Sequence, residues 1–200
     1  MKKLHLVSVV LIIILAGCFG RKPVDTAYYM LEVPVDYQVS DTLDILPYSL
    51  EITDVDVHPA YSTLRIAIRE GANEIRYFSN HQWAVRPQQS LTRVAAEYFN
   101  LHPFFKKADT RYWNLLPDYR LIVRIHKLEI VRERRDFSAR LQIDFRLYDV
   151  HEQLIVSHSD DTSRLLQRRN LDLFAGAISD LFMEQLHYFA AKVHYELAVE

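Results

Sequence analysis

The sequence predicts an α+β fold: a two-layer sandwich in which a mainly antiparallel sheet carries two amphipathic helices on one face. Three observations lead to it. Several segments alternate apolar and polar residues with a period of two, most cleanly from Phe137 to Leu147. Two other segments repeat apolar residues at helical spacing. The 200 residues include only four glycines and seven prolines, so no flexible or proline-rich linker divides the chain. That length suits one core. Half the residues are hydrophobic and a quarter charged, as in ordinary globular domains, which excludes collagen, coiled coil and extended disorder.

The first residues carry an address. Met1-Lys2-Lys3 is basic, and Leu4 to Leu15 is apolar apart from His5 and Ser8. The run is too short for a membrane span, which needs about 20 residues. A basic start, a short apolar core and small residues before a cut site make a secretory signal. The only cysteine follows directly in Leu15-Ala16-Gly17-Cys18, a sequence that resembles the lipobox of bacterial lipoproteins. The resemblance implies cleavage between Gly17 and Cys18 and lipid attachment at Cys18. Residues 1–17 are then a cleaved lipoprotein signal peptide, 18–26 a lipidated tether and 27–200 a single α+β domain. Two or more acyl chains give stable anchoring where one is marginal. Phe19, in place of the aspartate of the inner-membrane sorting pattern, implies the outer membrane with the domain facing the periplasm.

Tyr28 to Val33 is aromatic and β-branched and stops at Pro34, which predicts a strand. Asp36 to Pro47 reads as a polar loop. Leu50 to Val57 predicts a second strand whose apolar phase slips between Ile52 and Val55, the mark of a bulge. Leu64, Ile66 and Ile68 alternate with Arg65, Ala67 and Arg69. After Glu70-Gly71-Ala72-Asn73 the chain resumes at Glu74 to Phe78, which predicts a hairpin. Leu91, Val94, Ala95 and Tyr98 then fall on one helical face. Pro87 sits in its first turn and His102-Pro103 ends it. A loop is expected up to Pro117.

Leu121, Val123 and Ile125 alternate with Arg120, Ile122 and Arg124 before a shift near His126. From Phe137 to Tyr148 the strict alternation means one face on the core and one face wet. Ser138, Arg140, Gln142, Asp144, Arg146 and Tyr148 occupy the wet face. A turn at Asp149 to Glu152 leads into a short strand, Leu154 to His158. Asn170 can cap a last helix that carries Leu171, Phe174, Ile178, Leu181, Phe182, Phe189 and Val193 on one stripe.

Nothing in the sequence predicts catalytic, cofactor-binding or metal-ligating residues. G-x-S-x-G, H-E-x-x-H and a glycine-rich phosphate loop are all absent. A lone cysteine forms neither an internal disulfide nor a thiolate metal site. Glu184 and His187 have the Glu-x-x-His spacing of di-iron bundles, but those need a second such motif and further carboxylates from other helices. They read as a solvated face. The nine histidines are scattered, and the pairs Asp54/Asp56 and Asp160/Asp161 lack a third ligand. Arg132-Glu133-Arg134-Arg135 reads as a solvated hairpin tip, and Trp83 as core or as an interface anchor. With 24 basic against 26 acidic residues, no basic excess supports nucleic acid as a partner.

In layout the chain resembles the ABC-type transport auxiliary lipoproteins, which include the paraquat-inducible lipoprotein of MCE-domain (mammalian cell entry) lipid-transport systems. Cys18 and Tyr28-Tyr29-Met30-Leu31 carry the first part of the match. Val55-Asp56-Val57-His58-Pro59-Ala60-Tyr61 and Arg76-Tyr77-Phe78-Ser79-Asn80-His81-Gln82-Trp83-Ala84 carry the next. Tyr119 to Val123, Leu147-Tyr148-Asp149 and the closing helix complete it. The resemblance implies a non-catalytic subunit that binds an MCE-domain protein and ABC transporter components. It would support movement of lipid or another hydrophobic substrate between membranes. The wet sheet face, with Arg140, Arg146 and Tyr148, is the expected partner interface. Homo-oligomerisation stays open, and so does direct lipid carriage, which requires an apolar pocket of roughly several hundred Å³. The alternative is an envelope-assembly regulator, such as a peptidoglycan-synthase activator or an outer-membrane assembly factor.

Overall fold

The computed structural model describes residues 25–34, 44–113 and 116–198. In chain order the elements are β1 (Ala27–Tyr29), β2 (Leu46–Ile52), β3 (Asp56–Val57), β4 (Arg65–Arg69), β5 (Ile75–Trp83), α1 (Pro87–Leu101), β6 (Phe105–Asp109), β7 (Tyr119–Glu133), β8 (Asp136–Asp149), β9 (Leu154–Leu166) and α2 (Leu171–Ala198). The expected cleavage and lipidation positions, Gly17 and Cys18, lie outside the described residues, as does most of the expected tether.

β7 is the spine of one nine-stranded sheet. Along one edge it pairs antiparallel with β8, with Leu121 opposite Leu147. β8 pairs in turn with β9, with Leu147 opposite Val156. Along the other edge three short strands line up parallel to β7 one after another: β2 at Leu50/Tyr119, β3 at Asp56/Arg124 and β4 at Ile68/Ile130. β6 extends the sheet beyond β2, while β5 and then β1 extend it beyond β4. The sheet is therefore mixed, but most paired positions lie in antiparallel ladders.

The helices cover one face. All seven residues of the expected α2 stripe are buried. Phe145 of β8 stacks on Phe189 with ring centroids 5.1 Å apart. Trp83, 1% exposed, packs against Phe174 at 5.7 Å, which settles it as core. Asn170 caps α2, its Oδ1 accepting from the Asp172 and Leu173 amides at 2.8 and 3.3 Å. No helix among the described residues is long and apolar enough to cross a membrane.

Several local expectations change: β2 begins at Leu46, inside the expected Asp36 to Pro47 loop, and β5 runs past Phe78 to Trp83. The first strand ends at Tyr29 because the next backbone groups serve the helices. Arg93 donates to the Leu31 carbonyl, and the Glu32 amide donates to Ser179 Oγ. The slip at residues 53–55 is a break into two strands, not a bulge. Thr53 returns both its amide and its hydroxyl to the Leu121 carbonyl, while the Val55 amide turns to Thr92 Oγ1 on α1 at 2.8 Å. The expected loop before Pro117 contains β6, where only Phe105 is buried. β9 runs on to Leu166 because β8 supplies a ladder for its whole length. The expected shift near His126 is present as a register shift between Ile125 and Lys127.

Candidate functional site

The face of β7 and β8 turned away from the helices carries the three expected interface residues. Arg140, Arg146 and Tyr148 do lie on that one face, but they form two clusters. Six residues of strand separate Arg140 from Arg146, about 20 Å at 3.4 Å per residue. Arg140 grips Asp161 of β9 with two bonds of 2.7 and 2.6 Å. Lys127 stands 3.7 Å from the same carboxylate. The Arg140 hydrogen bonds, outweighing burial, hold the Asp161 carboxyl below its ordinary pKa. At the other end His126 Nε2 lies 2.9 Å from Asp144, and Arg146 3.9 Å from it. Tyr148, Arg146, Asp144, Arg124 and Ile122 line a small cavity of about 60 Å³.

Next to Arg140 in register stands Glu129, which has no exposed surface although it lies on the outward side of β7. Two side chains reach over it. Arg69 Nε donates to Oε1 at 2.7 Å and the Tyr61 hydroxyl to Oε2 at 2.6 Å. Arg69 also donates to the Tyr61 oxygen and to the Ala72 carbonyl. Above this cluster Arg69, Lys127, Arg132 and Arg140 border a cleft of about 420 Å³.

Burial, followed by the bond to Glu129, pushes the Tyr61 pKa from 10.0 up to about 12. The fold thus favours the protonated phenol. Its contribution is complete below pH 10 and is lost as pH rises from 10 to 12. In urea titrations across that window the native chain should lose about 2–3 kcal/mol more stability than Tyr61→Phe. Parallel curves would contradict the assignment.

The other flagged residues do not assemble into a chemical site. Glu184 pairs with Arg164 at 2.6 Å, while His187 meets the Tyr98 hydroxyl at 3.0 Å, so the Glu-x-x-His side chains serve different partners. Asp56 pairs with Arg124 and Arg132 with Glu70. Asp160 and Asp161 are neighbours on a strand and so point to opposite faces. Among the described residues no group of three His, Cys, Asp or Glu is placed to hold a metal ion.

A cleft of about 830 Å³ that the sequence did not foreshadow runs beside α2. One wall is β1 with Tyr28 and the segment after it with Met30; the other is the end of β9, with Leu165. The floor is α2 from Asp172 to Asp180, with Gly176 at its centre. A Cβ on Gly176 would meet nothing within 4 Å, so the fold itself does not require glycine there. Gly176→Ala should raise stability by about 0.5–1 kcal/mol, read as a higher urea midpoint. A loss would contradict the open geometry.

The family model for the ABC-type transport auxiliary lipoprotein component matches residues 29–185. A solved Xanthomonas campestris protein of the DUF330 family is 12% identical with a TM-score of 0.69, covering 85% of this chain and 94% of its own. A second solved structure, of an uncharacterized protein, is 13% identical with a TM-score of 0.67, covering 84% and 99%. A hypothetical protein from Chlamydia trachomatis is 8% identical with a TM-score of 0.53, covering 78% and 100%. These likenesses show a shared fold. No curated protein matches the chain.

Proposed function

This chain belongs to the ABC-type transport auxiliary lipoprotein component family, and we propose that it is the membrane-anchored, non-catalytic partner-binding subunit of an ABC/MCE-type system. Residues 1–17 are removed, Cys18 carries the lipid and residues 18–26 tether the domain to the outer membrane on its periplasmic side. The seven residues Gly20 to Thr26 span at most about 24 Å when fully extended, which keeps the domain close to that surface. There it binds an MCE-domain protein and supports traffic of lipid or another hydrophobic substrate between the envelope membranes.

The observation that carries this reading is the uncovered face of β7–β9. Both helices lie on the opposite face, leaving a broad surface of paired charges with Tyr148 at one end. Ordered arginines and tyrosines of this kind are frequent interface anchors. The two larger clefts open to solvent, which favours binding of partners over enclosing lipid.

Arg140→Glu combined with Arg146→Glu should lower recovery of the MCE-domain partner at least about tenfold, as expected for loss of interface anchors. Arg140→Glu with Asp161→Arg restores the ion pair in reverse and serves as the fold control. A folded double variant that keeps full partner binding overturns the assignment of this face.

A further inference from the structure

We infer that the cleft beside α2 receives an amphipathic helix of a partner protein, with an apolar ridge flanked by lysine or arginine. The inference takes from the proposed function only that a partner exists. It concerns a different surface from Arg140 and Arg146.

The cleft is apolar where an occupant would lie. Tyr28 and Leu165, on opposite walls, are 63% and 70% exposed, and Met30 and Leu173 are also exposed. Gly176 is open at the floor and lets another backbone come close. Glycine inside a helix carries a conformational cost, and no contact among the described residues accounts for it. The same side of α2 continues through Glu184, Tyr188 and Tyr195, spaced from Leu173 and Asp180 by helical steps. An occupant lying along α2 would therefore meet one continuous stripe.

The rim selects charge. Asp172 has no ion pair among the described residues. Among the described residues Glu32 pairs with Arg93 at 3.8 Å, and Asp180 and Glu184 share Arg164. Three acids, Glu32, Asp172 and Asp180, thus line the cleft with one arginine, Arg164, a surplus that favours a basic partner. It opposes an anionic phospholipid, and it opposes a twofold contact that would set this rim against itself. The backbone selects a helix. Along the wall, the Leu31 carbonyl and Glu32 amide are already bonded to Arg93 and Ser179. An added strand would find no free ladder at those groups, whereas a helix satisfies its own backbone.

The test is photocrosslinking from p-benzoylphenylalanine placed at Leu173 of the full chain in the cells that make it, with sequencing of the crosslinked peptides. The expected product is a segment of another protein with apolar residues at i, i+3 or i+4, and i+7, flanked by Lys or Arg. Gly176→Leu, whose Cβ has no neighbour within 4 Å, should cut the yield at least tenfold with a melting temperature no lower than that of the native chain. Asp172→Lys should cut it several-fold. Crosslinks to a second copy, to lipid, to residues 18–24 of the same chain or to an acidic segment overturn the inference. So does an absent crosslink, or a yield that Gly176→Leu leaves unchanged. A basic amphipathic helix from a protein outside any transporter would keep this inference while removing the transport reading. Recovery of the MCE-domain partner without that crosslink would do the reverse.

Discussion

Replacing Arg69 with methionine should lower the unfolding free energy by about 3–5 kcal/mol, the usual cost of removing one partner from a buried ion pair. Glu129 has no exposed surface, and each of its oxygens has one donor, Arg69 on one side and Tyr61 on the other. Without the guanidinium a buried carboxylate keeps only the Tyr61 bond. Arg140 lies opposite Glu129 in register, but both of its bonds go to Asp161, so it does not take over. For a chain of this size 1 kcal/mol moves the melting temperature by about 2–4 °C, so the midpoint should fall by roughly 6–20 °C. Replacing the whole cluster, with Arg69→Met, Glu129→Leu and Tyr61→Phe together, should cost far less, because no charge is then left unpaired. A single Arg69→Met variant within 1 kcal/mol of the native chain, a bound drawn from that same cost, would mean that Glu129 is effectively solvated.

Phe145→Ala should cost a similar amount, about 3–5 kcal/mol, through lost transfer energy and the cavity left behind. Phe145 is fully buried in the middle of β8. It stacks on Phe189, and its ring lies 6.3 Å from that of Phe182, so it joins the sheet to α2 at the centre of the layer contact. Phe137, on the same side of β8 but partly buried at the hairpin end, is the internal comparison and should lose clearly less on truncation. Urea unfolding of both variants decides it. Equal losses would mean that α2 does not press on the middle of β8.

The elements legible in the sequence are those where one periodic pattern meets one kind of neighbour. β8 alternates because its two faces differ, α2 shows its stripe because one side meets the sheet, and the 70–73 hairpin has the turn residues such links need. β6 and the second half of β9 were hidden for the opposite reason. From Ser157 to Ser163 β9 places polar or half-exposed residues on both faces, and its strand conformation comes from the ladder β8 offers. The parallel pairings of β2, β3 and β4 with β7 join residues roughly 60–70 positions apart and leave no local trace.

The expected interface residues were readable as a wet strand face, but their division into two clusters was not, because it depends on Asp161 and Asp144 as partners. Glu129 looks like any outward charge in a strand and is buried only because Arg69 and Tyr61 fold over it. The α2 cleft is assembled from three distant stretches. Its one local signal is a glycine inside a long apolar helix, next to the off-stripe Leu173.

On the proposed reading this domain works by holding a transporter partner. In-cell crosslinking and pull-down of the full, lipid-bearing chain, with mass spectrometry of the recovered proteins and lipids, tests it most directly. The expected result is recovery of an MCE-domain protein together with ABC transporter components, lost on the Arg140→Glu/Arg146→Glu change. Recovery of cell-wall synthases or outer-membrane assembly proteins, with no transporter component, would contradict it.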